Sequence, residues 1–299
     1  MSKVVPLESL RRFVAPGSTV ALGGAWMSNH PMAAVRQLIR DGVGELHVVD
    51  SLASIDVDLL VGAGLVRELT FSMVSLEAFG LAPHFRRAVE DGTLRINEVS
   101  GVAMNVAMDA GARNVPFLPM GDLGSSALPE RVPHILRRVD CPFTGESLLA
   151  VRAFHPDVAL LHVLRADAEG NCQVDGPLAI DPEIARASRS AVVTCEQLVT
   201  SDEIASSAAT THIPGFLVDA VIEAPFGAHP TTHVPRYGFD AWEIMAYADT
   251  CADGKGAAYV QQLRSESEDE YRARVLDPQR RAVLASVADR AHTLEEDAA

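Results

Sequence analysis

The sequence predicts an α/β protein, an open and mainly parallel sheet with flanking helices, and three observations carry that prediction. Short runs rich in valine and leucine recur between segments with helical spacing, the pattern of parallel strands joined by crossover helices. At 299 residues, 48% of them hydrophobic, the chain can fill a core on both faces of such a sheet. Glycine or proline punctuates most joins between runs.

The elements follow in order. TVALGG (Thr19 to Gly24) reads as a buried strand ending in two glycines, and Pro31 sits where a first helical turn tolerates proline. Met32, Val35, Leu38 and Ile39 then share a helical face, and ELHVVD (Glu45 to Asp50) is the next strand. DVDLLVGAG is a helix closed by Gly62 or Gly64, and VRELTFSM a strand leading to a helix through Phe85, Ala88 and Val89. LRINEV, an apolar helix near Val106, and VPFLPM continue the alternation. Residues 121–146, with three prolines and three glycines, read as one long functional loop. PDVALLHV, SAVVTCEQ and LVDAVIEAP are each apolar enough for a central strand. From Tyr237 onward the chain is helical and increasingly charged, with an amphipathic stretch through Val283, Leu284 and Val287 and a closing LEEDAA that should fray. The expected division is an α/β domain over 1–250 and a helical extension over 251–299.

Composition excludes several classes. Cys141, Cys172, Cys195 and Cys251 form no CxxC pair, so neither a disulfide framework nor a cysteine zinc site is expected. A formal charge of −15 disfavours a nucleic-acid surface. No apolar run reaches the roughly 18–20 residues of a membrane span and the first residues resemble no leader, so the expected location is cytoplasmic. For a dinucleotide fingerprint, Gly62-x-Gly64 has Arg67 and Gly42-x-Gly44 has His47 where a third glycine is needed. Neither a P-loop nor a G-x-S-x-G elbow occurs. His229 and His233 are four apart, but Pro230 and Pro235 oppose a helix there, and His155 and His162 flank a strand as satisfied polar groups. No metal is expected.

Three segments are denser in glycine, proline and polar residues than packing requires. In FSMVSLEAFGLAPHFRRAVEDG, Ser72 and Ser75 end a strand and Glu77 opens the next segment; carboxyl ends of strands are where open α/β sheets bind ligands, though each serine can equally cap a helix. In NVPFLPMGDLGSS, the backbone at Gly121, Gly124, Ser125 and Ser126 can approach a ligand, or form a plain turn. In CPFTGE, Thr144, Gly145 and Glu146 can turn tightly against a neighbouring chain.

PMAAVRQLIR, SLEAFGLAPHFRRAVEDG, PFLPMGDLGSS, CPFTGE and PDVALLHVLRADAEGN, in this order, resemble the alpha subunit of family I coenzyme A transferases, the group containing glutaconate CoA-transferase. The likeness runs from about Pro31 to about Tyr247. It implies the NagB/RPIA-like CoA-transferase fold and a homologous beta subunit, with the active site between them in an alpha–beta dimer or a higher even heteromer. In that family a beta-subunit glutamate attacks the acyl-CoA thioester, giving an anhydride and then a glutamyl-CoA thioester that the acceptor carboxylate resolves. This chain has no S-E-N-G-like stretch, so the nucleophile is expected on the partner, with coenzyme A as substrate and no permanently bound cofactor. The negative charge agrees, because the partner can supply basic contacts for an anionic ligand. By the resemblance, Gly23, Gly24, Ser72 and Ser75 are expected to bind the acyl group and offer backbone donors near the thioester oxygen, with Gly124 and Ser125 as further contacts. Of Glu77, Glu98 and Glu146, Glu98 is the best placed to serve as a base in this chain, against a structural role for it. Ring-opening hydrolases and decarboxylases of CoA esters share the same alpha-chain scaffold, so hydrolysis or decarboxylation is the alternative reaction.

Overall fold

Seven strands lie side by side and parallel, and their polypeptide order explains where a ligand can sit. The computed structural model describes residues 2–296, with side chains through residue 287. In its first half β1 (Thr19–Leu22), α1 (Met32–Asp41), β2 (Leu46–Ala53), α2 (Ile55–Gly62), β3 (Val66–Val74), α3 (Pro83–Glu90), β4 (Arg95–Glu98) and α4 (Gly101–Ala112) alternate as the sequence predicts. Then come β5 (Phe117–Gly121), α5 (Leu128–Arg131), β6 (Leu136–Asp140), β7 (Ser147–Arg152), β8 (Val158–Ala166) and β9 (Cys172–Gln173). The chain continues with α6 (Asp181–Ala187), β10 (Ser190–Leu198), α7 (Ser201–Ser206), β11 (Thr211–Ile213) and β12 (Ala220–Glu223). Four helices follow: α8 (Ala241–Ala252), α9 (Gly256–Ser265), α10 (Glu268–Val275) and α11 (Pro278–Glu296).

The parallel order is β12-β10-β8-β1-β2-β3-β4, with Val20 of β1 opposite Val48 on one side and Val158 on the other. β9 pairs antiparallel with the end of β8, and β11 with β9. After β1 the chain crosses to β2, and after β8 to β10 on the opposite side, so β1 and β8 flank the topological switch point. A crevice opens at such a point beyond the carboxyl ends of the strands.

Alternation along each buried strand divides the core in two. Val20, Leu22, Val48, Leu160 and Val192 face α1, α2 and the C-terminal helices, whereas Ala21, Val49, Ala159, Leu161 and Val193 face α4 and α6. The boundary drawn at 250 falls inside α8, and Val260, Leu263, Tyr271, Val275 and Leu284 beyond it join the first core cluster. Buried Arg36 of α1 holds α10: its Nε donates to Glu268 Oε2 at 3.0 Å, and its guanidinium lies 3.9 Å over the Tyr271 ring. Helix α11 is described through Glu296, so the last residues of the segment expected to fray lie outside the described residues.

Three sequence expectations need correction. The stretch 121–146 is not one loop: it holds α5 and β6, because Val132, Ile135 and Leu136 have an apolar surface to bury. Its prolines misled because they occupy the first turn of α5 and the flanks of β6, where no ladder donor is needed. VPFLPM does not extend the parallel sheet, since β5, β7 and β6 form a separate antiparallel sheet against α4. Finally, LVDAVIEAP yields only the four-residue β12, which among the described residues pairs with β10 alone apart from a single bridge to Val4.

Helix α4 docks closely because Gly111 has no side chain. A Cβ there would sit 2.0 Å from the Phe154 carbonyl oxygen and 3.0 Å from Ala187 Cβ. Gly111→Ala must therefore push α4 off the sheet and should destabilise the protein by about 3 kcal/mol. Urea titration checks this, with a lowered midpoint and an unchanged slope expected.

Candidate functional site

The segment that follows β1 at the switch point, Gly23 to His30, is folded tightly back on itself. Gly24 takes φ +89°, and a Cβ on it would lie 2.6 Å from Ser28 O and 2.7 Å from His30 N. Ala25 and Ser28 then bridge each other. Trp26 and Asn29 adopt φ 54° and 61°, left-handed backbone that a bulky tryptophan enters only under constraint. Neighbours supply that constraint. Trp26 N donates to Leu52 O at 2.8 Å, and its carbonyl accepts from His30 Nε2 at 2.7 Å. Asn29 donates from its backbone to Thr232 O and from Nδ2 to Pro177 O, and it accepts at Oδ1 from His233 Nδ1 at 2.8 Å. The Trp26 side chain is left 54% exposed at the rim.

Beneath this loop lies a wholly buried polar layer. His30 Nδ1 is 2.7 Å from Asp56 Oδ2, Asp50 ends the apolar part of β2 nearby, and Asp181 Oδ1 accepts from Gly24 N at 2.9 Å. Burial drives their protonation apart. Burial pulls the Asp56 carboxyl upward, but His30 beside it outweighs this and holds it down to about 2. Burial and the Asp56 charge push Asp50 well above the carboxylate range. Burial also lifts Asp181 to about 7, and the Gly24 N–H offsets this only in part. For His30 burial opposes the charge, yet Asp56 prevails and its pKa stands above the ordinary value.

A second layer joins the ends of β8 and β10 to residues 225–237. Glu196 accepts from His162 Nε2 at 2.9 Å, Tyr237 OH at 2.6 Å, Phe226 N at 2.9 Å and Gly227 N at 3.1 Å. Burial works against this carboxylate, but its bond to His162 and the further bond from Tyr237 help bring it to about 2, below an ordinary 4.5. A depressed acid stabilises the fold above its unfolded pKa and loses that contribution as pH falls. Glu196 should thus add about 3 kcal/mol above pH ~4.5, lost progressively toward pH ~2. Glu196→Ala, which strands these donors, should destabilise by about 3–5 kcal/mol at pH 7 and flatten that acid limb in thermal melts between pH ~3 and ~7.

The sequence-predicted residues fall in three places. Gly23 and Gly24 are at the switch point, but their N–H groups are engaged within the chain, with Leu160 O and Asp181 Oδ1 respectively, so neither is free to polarise a thioester. What they contribute is the missing Cβ. Ser72 and Ser75 are half-buried at the carboxyl end of β3; Ser72 Oγ donates to Ser51 O, and Ser75 Oγ accepts from Glu77 N at 2.9 Å. Glu98 ends the edge strand β4 with its side chain exposed. Gly121, at the end of β5, and Gly124 and Ser125, between β5 and α5, are exposed, and Ser126 Oγ there accepts from Leu128 N. Thr144, Gly145 and Glu146 form the β6–β7 hairpin tip, whose Phe143 is 94% exposed. His229 and His233 occupy separate networks, His229 donating from Nε2 to Asp240 at 3.0 Å and His233 bonded to Asn29.

Sequence reading missed His30, Asp50, Asp56, Asp181 and Glu196. One signal was available: Asp50 and Glu196 each close an apolar strand, where a charge is out of place unless something nearby needs it.

A family model described as coenzyme A transferase matches residues 7–224. One subunit of the 3-oxoadipate CoA-transferase of Pseudomonas knackmussii is 37% identical over 247 residues, 80% of this chain and 86% of that protein. An uncharacterized protein of Archaeoglobus fulgidus is also 37% identical, over 84% of this chain, which spans only 56% of that relative's length. Among solved structures, glutaconate coenzyme A-transferase of Acidaminococcus fermentans matches with TM-score 0.89 at 28% identity, over 95% of both chains. A variant of the decarboxylase AibA/AibB matches with TM-score 0.80 at 29% identity, over 89% of this chain and 100% of the other.

Proposed function

The chain belongs to the coenzyme A transferase family, and on that premise we propose that it is the alpha subunit of a heteromeric enzyme moving coenzyme A from an acyl-CoA to a carboxylic acid. The observation that carries this reading is the state of the carboxylates at the switch point. Asp50, Asp56, Asp181 and Glu196 are buried or nearly so and held by the chain's own groups, so none of them stands exposed to attack a thioester. A partner chain supplies the nucleophile.

In the proposed reaction a partner glutamate adds to the thioester carbonyl and expels the coenzyme A thiolate, leaving an acyl anhydride. The thiolate then attacks the glutamyl carbonyl and releases the donor acid, and the acceptor carboxylate reverses the two steps. This chain provides one wall of the site. Trp26, fixed by Leu52 and His30, and the Ser72 and Ser75 hydroxyls at the neighbouring strand end are the groups proposed to meet the acyl portion. The hairpin tip bearing Phe143 is proposed to meet the partner, which also brings the cations that a chain of net charge −15 is short of. No described helix is long and apolar enough to cross a membrane, and the proposed setting is the cytoplasm.

The likeness to the AibA/AibB decarboxylase supports a second reading, a lyase or hydrolase of a CoA ester on the same scaffold. Product analysis on the complex separates them. A transferase forms new acyl-CoA only when an acceptor acid is present. Release of free coenzyme A or carbon dioxide without an acceptor would replace transfer by the second reading.

A further inference from the structure

His30, Asp50 and Asp56 bring one buried imidazole and two buried carboxyls together at one point. Each is pinned from behind by the backbone. His30 Nε2 donates to Trp26 O at 2.7 Å, so Nε2 keeps its proton and Nδ1 is the nitrogen free to give one up and become a ligand. Asp50 Oδ1 accepts from Leu52 N at 3.1 Å, and Asp56 Oδ1 accepts from Ser54 N at 2.8 Å. The opposite atom of each side chain, His30 Nδ1, Asp50 Oδ2 and Asp56 Oδ2, is buried and has no hydrogen-bond partner among the described residues outside this cluster. These three donor atoms lie within 4.8 Å of one another.

His30 Nδ1 and Asp56 Oδ2 approach to 2.7 Å, an ion pair within the cluster. A divalent ion entering the cluster would take the place of the proton held there, as metal binding to such ligands releases protons. The pinned atoms behind them match the outer shell of metal sites, where a ligating histidine donates its other N–H to a carbonyl and ligating carboxylates are themselves hydrogen-bonded. Two carboxylates and a neutral imidazole balance a dication. One nitrogen and two oxygens suit Zn2+ or Mn2+, without the thiolates that would select a softer ion.

We propose that His30, Asp50 and Asp56 form a structural site for one divalent transition-metal ion, Zn2+ or Mn2+, beneath the switch-point loop. The residues come from three elements, the end of the loop after β1, the carboxyl half of β2 and the first turn of α2, so the ion would fasten that loop to the sheet. Because the ligands are fully buried, the ion enters as the chain folds. This departs from the sequence expectation of no metal.

The test uses the untagged full chain, purified with its partner from cells supplied with Zn2+ or Mn2+, and measures metal rather than activity, so its outcome is independent of the coenzyme A reading. Elemental analysis after gel filtration in chelator should find about one ion per chain. Asp50→Asn and Asp56→Asn should each lower that content at least ~10-fold. Refolding the wild-type chain with Zn2+ or Mn2+ in place of chelator should raise its melting midpoint by roughly 5 °C. A wild-type protein that folds metal-free with no such shift would overturn the proposal and leave the cluster as carboxyls sharing protons. Metal retained equally by the asparagine variants would overturn it too, by placing the ion elsewhere. Should a variant fail to fold, the wild-type content and midpoint decide.

Discussion

Gly24→Ala should abolish most of the complex's activity while leaving the chain folded. Gly24 stands at φ +89°, and an added Cβ would meet three backbone atoms, Ser28 O at 2.6 Å, His30 N at 2.7 Å and Asn29 C at 2.8 Å. Backbone cannot turn aside as a flexible side chain can. The loop must open, taking Trp26 and His30 with it and stretching the Gly24–Asp181 contact. Strain and overpacking together amount to about 3 kcal/mol, or a melting point lower by roughly 10 °C, a loss that a domain of this size can survive. Displacing groups at a reaction centre by about 1 Å is enough for a ~10²-fold loss of rate, and that is the drop expected. Gly42→Ala is the control. Gly42 also has positive φ, +66°, at the end of α1, but nothing lies within 4 Å of its added Cβ. That change should lower stability by about 1 kcal/mol and leave activity intact. Equal activity losses in the two variants would mean that the loop geometry is irrelevant to the reaction.

The alternation of strands and helices was legible because the central strands are largely apolar and helices α1 and α3 carry a clear helical period. TVALGG and SAVVTCEQ appear as β1 and β10 almost to the residue. The small antiparallel sheet was not legible, since its strands are half exposed, Pro119 sits within β5 itself, and the turns between the strands are rich in proline. Of the candidate site, the glycines after β1 and the serines at the end of β3 were recognisable as strand-end residues. Their environment was not. Whether the Gly24 N–H is free depends on Asp181, and the Trp26 conformation depends on Leu52 and His30, long-range pairings that no local spacing encodes. Buried Asp50, Asp56 and Glu196 read as ordinary strand-end or helix-start charges until the fold places them together. Five ordered motifs carried the family reading further than any single residue could.

Dependence on a partner is the second large effect. The switch-point carboxylates of this chain are engaged from within, so the purified chain alone should turn over acyl-CoA no faster than buffer. Adding the partner chain should restore transfer fully, an all-or-none change. Replacing the glutamate proposed as the partner's nucleophile by glutamine should abolish it again, whereas Glu98→Gln in this chain, at the exposed end of the edge strand, should leave most of the rate. The most direct measurement incubates the complex with acyl-CoA and no acceptor, treats it with borohydride, and locates the modified residue by peptide mass spectrometry. A reduced glutamyl thioester is expected on the partner chain and none on this one. A trapped adduct on a carboxylate of this chain, or full turnover by the chain without a partner, would contradict it.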